Sequence, residues 1–131
     1  MIFGIGTDIL AIERVQRIYE RHGARFAEHL LLPDELTLFQ RQSRPARFLA
    51  MRFAAKEAIV KAMGTGFANG MWIRDSGVLP NASGRPQIVW SMRGQALCER
   101  LGIGEGHVTL TDEAGLVVAV AVLMRKTAAA C

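Results

Sequence analysis

Residues 115–124 of the chain, GLVVAVAVLM, are apolar at every position. A strand sends successive side chains to opposite faces, so a run of this kind leaves neither face suited to water. It must be a central strand or part of an oligomer interface, and the remaining elements have to build around it.

Those elements read as an α+β fold. Residues 1–7 (MIFGIGT) have strand character, and a helical pattern with apolar Ile12, Val15, Ile18 and Tyr19 follows, ending near Gly23. RFAEHLL makes a shorter helix. Pro33 with Asp34 and Glu35 reads as the first turn of another, since proline is tolerated at N1 and carboxylates suit the positive end of the helix dipole. The longest helix spans residues 45–63 and is closed by Gly64, a natural left-handed cap. Beyond it MWIRDSGVL, PQIVWSM and HVTLTD read as strands, NASGRP and DEAG as turns, and GQALCERLG as a helix ended by Gly102. This order predicts helices packed on a mainly antiparallel sheet, in place of an alternating parallel βαβ arrangement. With 131 residues and no internal boundary, a single domain over 1–131 is expected.

Composition narrows the function classes. Half of the residues are hydrophobic, which excludes a disordered chain, and no apolar run approaches the roughly 20 residues of a membrane span. The N-terminus lacks the basic region of a signal peptide, so a cytoplasmic protein is expected. Cys98 and Cys131 show no metal-binding or redox spacing and are not expected to form a disulfide. A net charge of +4 favours anionic partners. Nucleic acid is the weaker choice among them, because aromatic residues are only 7% and no RNA-binding or zinc-knuckle pattern occurs.

Chemistry concentrates at two places. GIGTD begins like a nucleotide loop, but the third glycine of G-x-G-x-x-G is missing and no βαβ unit surrounds it. In an extended strand Gly4, Gly6 and Asp8 share one face, which clears space beside a carboxylate for another element or a ligand. Asp8 is equally suited to N-cap the following helix. On the long helix Phe53, Glu57 and Lys61 follow at i, i+4 spacing, with Arg52 and Lys56 on a neighbouring stripe. One edge is thus expected to present a carboxylate among three cations. A solvated Glu57–Lys61 ion pair worth about 0.2–0.5 kcal/mol explains the pattern without chemistry. Alternatively Glu57 and Asp8 hold a Mg²⁺ ion, which typically takes one or two carboxylates and completes its shell with water and phosphate oxygens, while Lys61, Lys56 and Arg52 face the phosphates. Gly64, Thr65 and Gly66 follow a helix C-terminus and so do not form a P-loop.

The segments GIGTDI, RFAAKEAIVKAMGTG and HVTLTDE together resemble the signatures of the bacterial holo-acyl carrier protein synthases, a family of 4'-phosphopantetheinyl transferases. The likeness extends through RFAEHLL, RFLAMRF and SGRP and stops near Met124. It implies the transferase fold and Mg²⁺-dependent transfer of the 4'-phosphopantetheine arm of coenzyme A to a carrier serine, with release of adenosine 3',5'-bisphosphate. By this resemblance Asp8 and Glu57 are metal ligands, and Lys61 contacts the reacting diphosphate. Arg52, Lys56, Lys61, Gly64, Thr65, Gly66 and His107 are expected to bind coenzyme A. The family also assembles as homotrimers with active sites at subunit interfaces.

Arg14, Arg17, Arg21 and Arg25 are spaced so as to form one basic ridge if helical register persists across Gly23. A solvated face accounts for such a ridge. The resemblance implies docking of an acidic acyl carrier protein instead, with Arg14, Ile18, Arg21, Arg25, Phe26, Arg44 and Arg47 as contacts. His22 and His29 read as surface residues, and Asp112 stands at a position that often carries His or Asp in the resembling family, so no second histidine is expected.

Overall fold

The computed structural model describes residues 1–127, so Cys131 and the end of the tail lie outside it. The apolar run forms β5 (Leu116–Arg125), which lies between β1 (Ile2–Ala11) and β4 (Ile103–Glu113) in an antiparallel sheet of order β1-β5-β4. It is indeed the central strand. Its two faces have different fates: Val117, Ala119, Ala121 and Leu123 are fully buried, while Val118, Val120 and Val122 on the other side are half-buried.

Helices α1 (Ile12–His22), α2 (Ala24–Leu30), α3 (Pro33–Phe39) and α4 (Pro45–Met63) follow β1, and α4 covers the inner face of the sheet. Small residues on both sides allow close packing there. Ala58 and Ala62 of α4 lie against Gly4 and Gly6 of β1, and Ala54 of α4 and Ala119 and Ala121 of β5 are fully buried as well. A methyl group on Gly6 would lie 2.0 Å from the Ala58 carbonyl oxygen, and one on Gly4 would lie 1.9 Å from that of Ala62. The glycines therefore exist to let a helix backbone approach the strand. Gly64, at φ 78°, closes α4 as expected.

A separate hairpin of β2 (Ser76–Pro80) and β3 (Pro86–Trp90) packs beside β4, and α5 (Met92–Leu101) is capped by Ser91, whose Oγ accepts from Gly94 N at 3.0 Å. The sequence suggests a strand from Met71. In the structure Ile73–Asp75 is a short 3-10 turn instead, because the Asp75 carboxylate accepts from Trp72 N at 2.8 Å and folds the chain back before Ser76.

The outer face of the three-stranded sheet has no helical layer among the described residues. Ile5 and Ile9 of β1 are 58% and 62% exposed there, in register with Val122 and Val118. No helix among the described residues is long and apolar enough to cross a membrane.

Candidate active site

β1 runs three residues past Asp8 before α1 begins, and the N-cap of α1 is Ala11. Asp8 is thus a mid-strand residue paired with Ala119, and its carboxylate is not spent on capping. The close β1–α4 packing brings it to the margin of the helix. Lys61 Nζ donates to Asp8 Oδ1 at 3.1 Å and to the Thr7 carbonyl at 2.9 Å. The Lys61–Glu57 surface pair expected from spacing alone does not form; the lysine crosses to the strand.

Glu57 has no hydrogen bond or ion pair among the described residues, and its carboxyl is held above the usual carboxylate range. Burial is the main cause and the Asp8 charge the second, opposed by Lys61 and Arg14. Two carboxylates that sense each other, one without a partner, form a donor set that suits a hard divalent cation. No group of three or more His, Cys, Asp or Glu side chains converges on a metal position among the described residues. Such a pair fits Mg²⁺, whose shell water and phosphate oxygens complete, better than a metal that needs a protein cage.

Lys56 and Arg52 do not belong to this edge, which corrects the expectation of three flanking cations. Lys56 is fully buried on the far side of α4, where its ammonium donates to Leu30 O at 2.6 Å, Ser76 O at 2.7 Å and Glu35 Oε1 at 2.8 Å. Three acceptors require three hydrogens, so the group is an ammonium ion even though burial pulls its pKa below the usual lysine range. Arg52 joins the same cluster, with its Nε 3.4 Å from Glu35 Oε2 and its guanidinium over the Phe48 ring. Lys56 is therefore not free for a phosphate, since its burial without these partners would be prohibitive.

Gly64 and Gly66 spend their amides on α4 carbonyls, with Gly64 N bonded to Val60 O at 3.1 Å and Gly66 N to Val60 O at 3.4 Å. They act as a helix cap. The Thr65 hydroxyl between them is buried and has no hydrogen-bond partner among the described residues.

His107 lies on an open cleft of about 790 Å³ between the β2–β3 hairpin and the edge of the main sheet. Asn81, Arg85, Gln87 and Trp90 line it with Val120 and Val122 of the outer sheet face. The turn chemistry of NASGRP carried the signal for Asn81 and Arg85, but a turn alone does not reveal which side of the fold it faces. Asp8, Glu57 and Lys61 do not line this cleft. Within one chain the carboxylate pair and the His107 cleft are separate.

The basic face is also divided. Gly23, at φ 57° and ψ −138°, breaks the helix, so Arg14, Arg17 and Arg21 lie on α1 and Arg25 on α2. A continuous ridge across Gly23 is therefore absent. Arg17 pairs with Glu13 at 2.6 Å. Arg25 and Phe26 line a recess of about 310 Å³ with His22 and His29, while Ile18 is half-buried on α1. Arg44 lines a different groove, beside Ile12 and Tyr19. Arg47 lines the same groove, with its guanidinium held by Asp112 through bonds of 2.9 and 2.6 Å.

A profile of the 4'-phosphopantetheinyl transferase superfamily matches residues 4–121. The holo-[acyl-carrier-protein] synthase of Halorhodospira halophila is 44% identical over 124 residues, spanning 95% of this chain and 98% of that protein. Among solved structures, holo-[acyl-carrier-protein] synthase from Neisseria meningitidis aligns with a TM-score of 0.91 at 37% identity, over 95% of this chain and 100% of the other. The Helicobacter pylori counterpart, crystallised with coenzyme A, gives 0.79 at 27% identity over 91% and 98%.

Proposed function

Because the chain belongs to the holo-[acyl-carrier-protein] synthase family of 4'-phosphopantetheinyl transferases, we propose that residues 1–131 form one transferase domain that moves 4'-phosphopantetheine from coenzyme A to a serine of apo acyl carrier protein. The observation that carries this is the convergence of Asp8, Glu57 and Lys61 at the β1–α4 seam. The serine oxygen bonds to the phosphorus that bears pantetheine and gives its proton to water, the bond from that phosphorus to the bridging oxygen breaks, and adenosine 3',5'-bisphosphate leaves. Asp8 and Glu57 would hold a Mg²⁺ ion, which would supply charge neutralisation for the diphosphate and the departing bisphosphate. Lys61, 52% exposed, has room to turn its ammonium from Thr7 toward the oxygens of the reacting phosphorus. Incubation with coenzyme A, Mg²⁺ and apo carrier protein, followed by mass spectrometry of the carrier, is expected to show the gain of one phosphopantetheine. No gain with several carriers refutes the reading.

Assembly explains why one chain holds its carboxylates and its cleft apart. Three copies packed through the apolar outer face cover Ile5, Ile9 and the β5 valines, and bring the His107 cleft of one copy toward the Asp8–Glu57 pair of another. The Helicobacter pylori protein's complex with coenzyme A supports coenzyme A as the ligand of this site. Ile9 points away from the Asp8 face and is mostly exposed in one chain, so Ile9→Asp leaves the chain folded. It is expected to convert trimers to monomers in light scattering and to abolish transfer. A variant that stays trimeric, or an active monomer, contradicts this arrangement.

The acidic carrier docks on α1 and α2, where Arg14, Arg21 and Arg25 are exposed and Phe26 lines an apolar recess. Arg21→Glu is expected to raise the KM for carrier by about tenfold or more, since like charges across an interface cost several kcal/mol. The affinity for coenzyme A, measured by titration calorimetry, should not change; equal losses in both contradict the division.

A further inference from the structure

The buried cluster around Lys56 sits where the two halves of the site are joined. Lys56 immediately precedes Glu57 on α4, and its ammonium holds the carbonyl of Ser76 at the start of β2. Glu35 completes the tie: its Oε1 accepts from Lys56 and from Leu32 N, while its Oε2 accepts from Val78 N at 2.9 Å. Both Lys56 and Glu35 are 0% exposed. The hairpin that begins with these β2 atoms carries Asn81, Arg85 and Trp90 to the cleft.

Stability alone is a poor account of this arrangement, since buried ion pairs often contribute little net stability relative to apolar packing. What a multiply hydrogen-bonded buried pair does supply is a fixed geometry. Gly77 fits that role, because a methyl group there would lie 2.8 Å from the Glu35 carboxyl carbon. β2 is seated directly on the carboxylate.

We propose that Glu35 and Lys56 are positioning residues for the transfer reaction, acting as a strut that sets the coenzyme-binding hairpin relative to the α4 edge that carries Glu57. This rests on the transferase reading given above. It holds whether the hairpin serves its own chain's carboxylates or a neighbour's, because in a symmetric assembly the strut fixes the relation between the two contributions each chain makes. Neither residue touches substrate; each acts through the hairpin.

Glu35→Gln breaks the tie at Val78 and removes the counter-charge of Lys56 and Arg52. The glutamine oxygen still serves Lys56 and Leu32 N, but its amide meets the Val78 N–H donor to donor. Gly77→Ala presses a methyl group against the Glu35 carboxyl and the Leu32 side chain, disturbing the strut from the β2 side without changing any charge. In folded protein, both variants are expected to raise the KM for coenzyme A, and its dissociation constant by calorimetry, by about tenfold or more, the scale on which small misplacements act. The KM for carrier should stay within twofold. Because KM does not depend on how much enzyme is folded, a purely structural role leaves both KM values at wild type and overturns the proposal. Parallel rises in both KM values also overturn it. If Glu35→Gln does not fold, Gly77→Ala decides, since it displaces only side-chain ends. Wild-type enzyme assayed alongside separates the two ideas: failure of the wild type to modify any carrier overturns the transferase reading, whereas an active wild type with unchanged variants overturns the strut alone.

Discussion

Glu57→Gln is expected to lower phosphopantetheine transfer by about 10³-fold, at the upper end of what single electrostatic contacts contribute to catalysis, while leaving the fold intact. Glutamine keeps the shape of the side chain but removes the charge. Since Glu57 has no protein partner among the described residues, nothing is left unsatisfied by the change. Folding stability should rise slightly or stay level, because the substitution removes a partly buried carboxylate held above its usual range by burial and by Asp8. Loss of activity with retained stability distinguishes a reacting group from a structural one. Asp8→Asn is expected to act similarly, and the double variant should lose little more than either single one, since groups that hold one ion act as a unit. Additive losses on the logarithmic scale argue against a shared ion. So does wild-type activity that survives exhaustive chelation.

Much of this pair was legible in the sequence, because the periods that place it are short and local. Gly4, Gly6 and Asp8 share a face by strand alternation, and Glu57 and Lys61 share one by helical spacing. What spacing does not say is which helix the bare strand face receives. The answer lay in Ala58 and Ala62, whose small side chains let their backbone meet the bare face of Gly4 and Gly6. Small residues on two elements at compatible spacing are a docking signal.

Lys56 shows the opposite failure. Its charge suggests a solvent-facing or phosphate-facing role, yet it lies on the stripe of Ile59, Val60 and Met63, all buried at i+3, i+4 and i+7. A lysine in phase with the core is buried, and a buried ammonium needs acceptors. Glu35, read from sequence as a favourable first-turn carboxylate, is that acceptor. The pairing spans 21 residues of chain, beyond the reach of any local period. Likewise Arg14 and Arg25 fall out of register because Gly23 takes a backbone conformation that interrupts the helix, and a glycine between two helical patterns does not disclose whether the register survives.

Gly6→Ala is expected to damage the enzyme twice, in stability and in turnover. The added carbon would sit 2.0 Å from the Ala58 carbonyl oxygen and 2.6 Å from the Ala62 nitrogen, both backbone atoms that no rotamer change can move. The helix or the strand must shift as a body by about 1 Å to restore contact, and overpacking of this kind costs about 3 kcal/mol. In a domain of this size that corresponds to a fall in Tm of about 10 °C, measurable by calorimetry. The same shift separates Asp8 on β1 from Glu57 and Lys61 on α4. A displacement of about 1 Å lowers turnover by about 100-fold even in molecules that remain folded. Activity per folded molecule, assayed well below the transition, therefore tests the second effect apart from the first. Trimming the opposing side chain with Ala58→Gly is expected not to rescue either loss, because the obstructing atom is the carbonyl oxygen, which glycine retains. Rescue by that second substitution, or wild-type turnover in folded Gly6→Ala, shows that β1 and α4 do not set the distance between the carboxylates.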